Sequence, residues 1–314
     1  MNAIKIEGLV KTYGSVRALD GLNLEVRSGS VFGFLGPNGA GKTTTLRILA
    51  GLALPNAGNA SVSGIALSNT TPAPYARTGY LPEEPAFYPW MTPREYLDYV
   101  GRIFKIGSKE RSARVDELLD VVGLKEVSKR HIGGFSRGMR QRLGIAQALV
   151  NHPEVLLLDE PVSALDPAGR KEVLELIEEL GKECTVLMSS HILADVERVC
   201  DTVGIINKGK LITQAIKAEL MEKYAIPALE LVAGNGMAQQ ISEWKERIER
   251  MTSVSGVSIE GYTFRIAVKD VHSAQRELMQ DAIRQNAHFE RLEIVKPSLE
   301  DIFMQLVNGV EEKK

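Results

Sequence analysis

The chain has 314 residues, 44% of them hydrophobic and 25% charged, with a formal net charge of -2. These values describe a soluble globular chain of one large domain or two ordinary ones. They give no general basic bias toward nucleic acid or lipid. Its 2 cysteines, Cys184 and Cys200, lack metal-ligand spacing and read as buried thiols of a reducing compartment. No apolar run reaches the roughly 20 residues of a membrane span. The first residues, Met1-Asn2-Ala3-Ile4-Lys5-Ile6-Glu7, alternate like a strand and lack the apolar core of a signal peptide. The expectation is a cytoplasmic chain that acts on a membrane only through a partner.

Residues 1–30 read as short strands and turns punctuated by Gly14, Gly21 and Gly29. The apolar run Val31-Phe32-Gly33-Phe34-Leu35 follows as a strand. Next comes Gly36-Pro37-Asn38-Gly39-Ala40-Gly41-Lys42-Thr43, which fits G-x-x-x-x-G-K-[ST], and then a helical run from Thr44 to Leu49. Strand, glycine loop and helix are the context of a phosphate-binding loop. Glycines let backbone N–H groups turn inward around phosphate oxygens, and the helix start adds positive potential. Lys42 is expected to reach the β- and γ-phosphates, and the Thr43 hydroxyl to bind Mg²⁺.

Residues 60–90 read as strands and loops. A helix is predicted from Thr92-Pro93-Arg94-Glu95, where Thr92 caps, Pro93 takes the first position and Glu95 completes a capping box. Its apolar face is Tyr96, Leu97, Val100, Ile103 and Phe104. A second helix is predicted over about 110–122 and a third after Gly138, with Leu143, Ile145, Ala146 and Leu149 inward. Val155-Leu156-Leu157-Leu158 reads as a buried parallel strand. A helix at 168–180 and a strand at 185–189 continue in βαβ order. Residues 203–206 and 210–212 read as a hairpin about Asn207-Lys208-Gly209. Near residue 220 the character changes. Strands at 228–233, 262–268 and 289–295 alternate with helices at 238–251, 272–285 and 298–308, the last capped by Ser298 and Asp301. That order suits a small separate α/β domain.

Asp159-Glu160 follows the strand 155–158. An Asp at a strand end beside the phosphate loop can hold the Mg²⁺ shell, and Glu160 is placed to orient or deprotonate an attacking water. Phe135-Ser136-Arg137-Gly138-Met139 opens a helix, where a serine hydroxyl and a bare glycine N–H form an anion site. In isolation that segment reads as an ordinary capped helix, Tyr13 as a plain aromatic and His191 as a loop histidine.

Taken in order, these motifs resemble the ATP-binding subunits of ATP-binding-cassette (ABC) transporters, over residues 1 to about 220. The family signature Leu-Ser-Gly-Gly-Gln is kept at Ser136 and Gly138, with Phe135, Arg137 and Met139 at the other positions. The resemblance implies that Tyr13 stacks on adenine and that Gly36, Pro37, Asn38, Gly39, Ala40, Gly41, Lys42, Thr43 and Thr44 cradle the phosphates. It implies that Ser136 and Gly138 touch the γ-phosphate and that Asp166, in Ser163-Ala164-Leu165-Asp166, crosses a dimer interface. His191 matches the switch histidine. Glu83, in Gly79-Tyr80-Leu81-Pro82-Glu83, stands where the family usually carries Gln, and a carboxylate there can also ligate Mg²⁺. The implied catalytic set is Glu160, His191 and Glu83, and the implied metal set is Thr43, Asp159 and Glu83.

The implied fold is α/β. It comprises a P-loop ABC ATPase domain over 1–220, with a RecA-like core, an antiparallel β subdomain and an α-helical subdomain at about 92–150. A small C-terminal α/β (ferredoxin-like) domain over 221–314 follows. That second part, with its Lys296-Pro297-Ser298-Leu299-Glu300-Asp301-Ile302-Phe303 ending, resembles the extension of ABC-2 type exporter subunits. The implied ligands are ATP and Mg²⁺. The implied partners are a second ATPase subunit, as a homodimer or heterodimer, and an integral membrane permease on the inner face of the cell membrane, with no nucleic acid. ATP would lie between Gly36–Thr44 of one subunit and Ser136–Gly138 of the other. A DNA-repair ATPase would need a coiled-coil insertion, and translation-type members usually carry two cassettes. A GTPase reading of Asn207-Lys208-Gly209-Lys210 fails at Lys210, where Asp is required. Residues 221–314 hold His272 and His288 without ligand spacing, so a small-molecule sensor there is a reading that does not exclude transport.

Overall fold

The computed structural model describes residues 1–67, 76–163, 165–223, 227–234, 241–285, 288–295, 299–300 and 302–303. The chain divides into two compact units, Met1–Lys217 and Ala218–Glu312. The first unit opens with β1 (Asn2–Tyr13), β2 (Val16–Arg27), β3 (Val31–Leu35), α1 (Lys42–Leu49), β4 (Ala57–Val62), β5 (Ile65–Ala66) and β6 (Thr78–Leu81). Three helices follow, α2 (Pro93–Ile103), α3 (Ser108–Val121) and α4 (Arg137–Leu149). It continues with β7 (Val155–Leu158), α5 (Pro167–Leu180), β8 (Thr185–Ser190), α6 (Leu193–Val199), β9 (Thr202–Asn207) and β10 (Lys210–Ile216).

Two sheets result. One is antiparallel, in the order β2-β1-β4-β5. The other runs β10-β9-β3-β8-β7-β6 and is parallel except for the β9–β10 hairpin. β3, β7 and β8 are buried along their whole length, as expected of strands covered on both faces. Phe32, Phe34, Leu157 and Leu187 lie in the core with Leu46 and Ile206, each contributing about 1.5–3 kcal/mol by leaving water. β1 and β2 are not the short strands expected. Each is 12 residues long, because Gly8 at φ +58° and Gly21 at φ +74° sit where the pairing register shifts and do not end the strands.

α2 starts where the sequence predicts, whereas α3 begins at Ser108 and α4 at Arg137, each slightly ahead of the expected start. Thr92 and Glu95 form a reciprocal capping box, with Thr92 N–H donating to Glu95 Oε2 at 2.8 Å and Glu95 N–H to Thr92 Oγ1 at 3.3 Å. Tyr96 donates its hydroxyl to Gln147 Oε1 at 2.7 Å, tying α2 to α4. Ile103 and Phe104, expected inward, are exposed, because α2 ends there and the chain turns away through Lys105 at φ +59°.

After α7 (Lys217–Lys223) come β11 (Ala228–Ala233), α8 (Ile241–Glu249), β12 (Val254–Glu260), β13 (Thr263–Val268), α9 (Val271–Arg284) and β14 (Phe289–Val295). The sheet is antiparallel, in the order β12-β13-β11-β14, and βαββαβ is the ferredoxin-like arrangement. The sequence reading lacked β12. Gly256 interrupts its alternation, and β12 pairs with β13 across a tight turn at Gly261, φ +59°. Leu229, Leu231, Trp244, Ile248, Phe264, Ile266 and Leu278 make this unit's core. Leu299, Glu300, Ile302 and Phe303 are helical. The proposed caps Ser298 and Asp301, and most of the helix expected over 298–308, lie outside the described residues.

Candidate functional site

The site begins at the carboxyl end of β3. The chain there must pass close to β9, and a Cβ at Gly36 would stand 2.4 Å from the Ile206 carbonyl oxygen. Gly41 caps α1 at φ +111°, where a Cβ would meet the Ala18 carbonyl at 2.7 Å. Both positions demand glycine on steric grounds. The β9–β10 turn braces the loop, since Gly209 N–H donates to the Ala40 carbonyl at 2.9 Å and its own carbonyl accepts from Asp20 N–H at 3.0 Å. Lys42 is buried. Its ammonium donates to the Gly36 carbonyl at 2.6 Å and faces Glu160 Oε1 at 3.3 Å.

Asp159 and Glu160 leave the end of β7, both buried. Thr43 donates its hydroxyl to Asp159 Oδ1 at 3.1 Å, and Ser189 on β8 donates to the same oxygen at 2.7 Å. Ser189 Oγ in turn accepts Glu160 N–H at 2.9 Å. Burial raises the Asp159 carboxyl above its ordinary value. The hydrogen bonds from Ser189 and Thr43 oppose that rise, and the Glu160 charge adds to it. Glu160 sits at φ +46°, a left-handed conformation that a side chain adopts at a cost. It is held by Ser189 at its backbone, Lys42 at one oxygen and His191 at the other, with His191 Nδ1 2.8 Å from Glu160 Oε2.

These groups open into a cavity of about 690 Å³ lined by Asn38–Thr44, Glu83, Glu160 and His191. Glu83 is exposed and also lines a smaller cavity of about 330 Å³ with Glu84, Arg137 and Arg140. Buried Gly36 and Asp159 and exposed Pro37 do not line the larger cavity. Tyr13 is half exposed beneath Lys11, whose ammonium is 4.9 Å from the ring centroid. Tyr13 does not line the cavity, but Val16, its register partner across the β1–β2 hairpin, does. Ser136, Gly138 and Asp166 do not line it either. Ser136 caps α4 by accepting Met139 N–H at 3.2 Å. Asp166 occupies the N-cap position of α5, and a Cβ at Gly169 would come within 2.8 Å of Asp166 Oδ1.

The sequence reading missed four lining residues, Val16, Arg17, Ala18 and Lys208. No motif marks them. Only the hairpin signal at Asn207-Lys208-Gly209 pointed to the turn that brings Lys208 to the phosphate loop.

The family described as ABC transporter matches residues 19–163, and the family described as ATP-binding protein DrrA1-3-like, C-terminal domain, matches residues 217–307. The chain is 38% identical over 306 residues to the uncharacterized ABC transporter ATP-binding protein YxlF of Bacillus subtilis (strain 168), covering 98% of this chain and 100% of that protein. It is 38% identical over 312 residues to the bacitracin transport ATP-binding protein BcrA of Bacillus licheniformis, covering 98% and 97%. Among solved structures it is similar to the dimeric post-hydrolysis state of the ATP-binding cassette MJ0796 bound to ADP and Pi. That match has a TM-score of 0.62 and 25% identity, covering 68% of this chain and 98% of that chain. Similarity that extends over nearly the whole length of both relatives shows that the chain belongs to the ATP-binding subunits of ABC transporters and is an ATPase.

Proposed function

We propose that two copies of this chain close around ATP and drive a separate membrane permease in export, at the cytoplasmic face of the membrane. The observation that carries this reading is the division of the site. The cavity of one copy is lined by the phosphate loop, Glu83, Glu160 and His191, whereas Ser136, Gly138 and Asp166 do not line it. Each chain holds both sets, so two identical copies related by a twofold axis complete two identical sites.

Within that pair, Asn38–Thr44 wrap the phosphates and Lys42 neutralises the β- and γ-phosphate charge. Phosphate oxygens compete for the Lys42 ammonium that otherwise faces Glu160 Oε1. Glu160, still oriented by His191, then accepts the proton of the attacking water. Ser136 and Gly138 of the second copy bind the γ-phosphate, and Tyr13 lies against adenine. Mg²⁺ takes one or two carboxylates together with phosphate oxygens and water. The Thr43 hydroxyl and Asp159 carboxylate, 3.1 Å apart, are a matching hard-oxygen pair, with Glu83 at the same cavity. The ion would supply neutralisation of the charge that develops on the transferred phosphoryl group. Loss of the γ-phosphate contact then favours opening.

Among the described residues no helix is long and apolar enough to cross a membrane, so transport needs a partner. Tyr88, Trp90, Tyr99 and Ile103 form an exposed apolar patch on and before α2, with Tyr88 5.3 Å from Trp90 and 6.0 Å from Tyr99 between ring centroids. Such a patch suits a permease loop. The name of the bacitracin transport relative and the C-terminal family match support export. Purification of the tagged chain from native membranes in mild detergent tests this function. A stoichiometric polytopic membrane protein is the expected companion, and recovery with ribosomes, nucleic acid or only soluble partners contradicts it.

A further inference from the structure

Arg170 and Asp195 form an ion pair that the nucleotide cavity does not use. Arg170 Nε donates to Asp195 Oδ1 at 2.6 Å, and the Asp195 side chain is 3% exposed. Among the described residues the second carboxylate oxygen, Oδ2, is buried without a hydrogen-bond partner. The pair therefore rests on a single guanidinium. Pairs of this kind gain little net stability, because desolvation offsets the attraction, and their best-attested use is to fix register.

The register fixed here is between the starts of two helices that each carry a site residue. Arg170 lies in the first turn of α5 and its N–H donates to the Asp166 carbonyl at 2.9 Å. Asp195 lies in the first turn of α6, which follows His191 through a tight turn. In that turn Ser190 Oγ accepts Ile192 N–H at 2.9 Å. A shift of α5 therefore carries Asp195 with it, and α6 carries His191 relative to Glu160.

The geometry points to Arg170 and Asp195 as positioning residues that couple the Asp166 loop to His191, so that the second copy, by pressing on Asp166, sets the imidazole against Glu160. This inference rests on the reading of Asp166 and His191 as site residues.

The test uses the full chain with Arg170→Gln, Asp195→Asn, the double variant, and His191→Ala as reference. ATP turnover, affinity for a fluorescent ATP analogue, thermal midpoint and the His191 imidazole NMR signal are read for each. A positioning pair predicts that kcat falls about tenfold in each single variant with nucleotide affinity within about twofold, since misplacement acts on chemistry. It predicts that the double variant is no slower than the slower single, the non-additivity of a unit. The His191 signal moves in Arg170→Gln, and Arg170→Lys restores part of the turnover. If Asp195→Asn fails to fold, Arg170→Gln carries the test, because Arg170 is 32% exposed and its removal creates no large void. Unchanged kcat and an unmoved His191 signal in Arg170→Gln, alongside an inactive His191→Ala, overturn the coupling alone. Full turnover in His191→Ala overturns the site reading and the coupling with it.

Discussion

His191 Nδ1 lies 2.8 Å from Glu160 Oε2 while Lys42 Nζ lies 3.3 Å from Glu160 Oε1, so one carboxylate at the end of β7 joins His191 to the phosphate loop. A water held against Glu160 would meet an oriented base, and phosphate would meet the lysine on the other side. Glu160→Gln keeps the shape and removes the base. Mg²⁺-dependent ATP hydrolysis is expected to fall by about 10²–10⁴-fold, the span of general-base catalysis, with ATP binding retained. Substantial turnover in a phosphate-release assay would remove Glu160 from that role.

Asp159 offers a test in which stability and activity move in opposite directions. Its carboxyl is raised above 3.8 by burial, so the folded chain holds that proton more readily than the unfolded chain. Stability from this group therefore falls as pH rises from the unfolded value through the folded one, and the cost is fully present above the folded value. Asp159→Asn keeps acceptors for Thr43 and Ser189 and removes the buried charge. The nucleotide-free chain is expected to gain about 0.5–2 kcal/mol at neutral pH, with a flatter dependence of the thermal midpoint on pH and with ATPase activity lost. A lower midpoint at neutral pH contradicts this.

Gly41→Ala places a methyl group 2.7 Å from the Ala18 carbonyl at φ +111°. The loop must shift, at about 1–3 kcal/mol of strain. Isothermal titration is expected to show ATP affinity reduced at least tenfold, with the helical content by circular dichroism unchanged. Unaltered affinity would mean that the loop is not held as described.

Phe264 is fully buried in the second unit and stacks edge-on to Trp244 at 5.3 Å. Phe264→Ala is expected to cost about 3–5 kcal/mol. In a Trp90→Phe background, urea unfolding followed by Trp244 fluorescence should shift to lower urea, while ATP binding by residues 36–44 persists. Loss of ATP binding at the same urea concentration would show that the two units unfold together.

The phosphate-loop pattern and the Asp159-Glu160 pair were legible in the residues themselves, as a glycine spacing and two carboxylates beside apolar strands, whereas His191 entered only through the family resemblance, since alone it reads as a loop histidine. Arg17 and Lys208 were not legible, because each sits at or beside the turn of a hairpin, β1–β2 and β9–β10, and a local turn pattern does not say that the turn packs against the phosphate loop. β12 was missed for a related reason, since Gly256 and exposed Ser255 and Ser258 weaken the alternation that its pairing with β13 compensates. Gly21 misled in the opposite sense. A glycine reads as a break in a sequence, whereas here a long antiparallel partner keeps the strand paired on both sides of it. The Arg170–Asp195 pair carries no sequence signal at all, since the two residues are 25 positions apart on separate helices.

The central claim is that one chain supplies half of each nucleotide site. Sedimentation velocity of Glu160→Gln with saturating Mg²⁺-ATP tests it most directly, because the variant is expected to bind ATP while hydrolysing it far more slowly. The account predicts a dimer with ATP, a monomer with ADP, and loss of the ATP dimer when Ser136 is also changed to Arg. A chain that binds ATP and stays monomeric would contradict it.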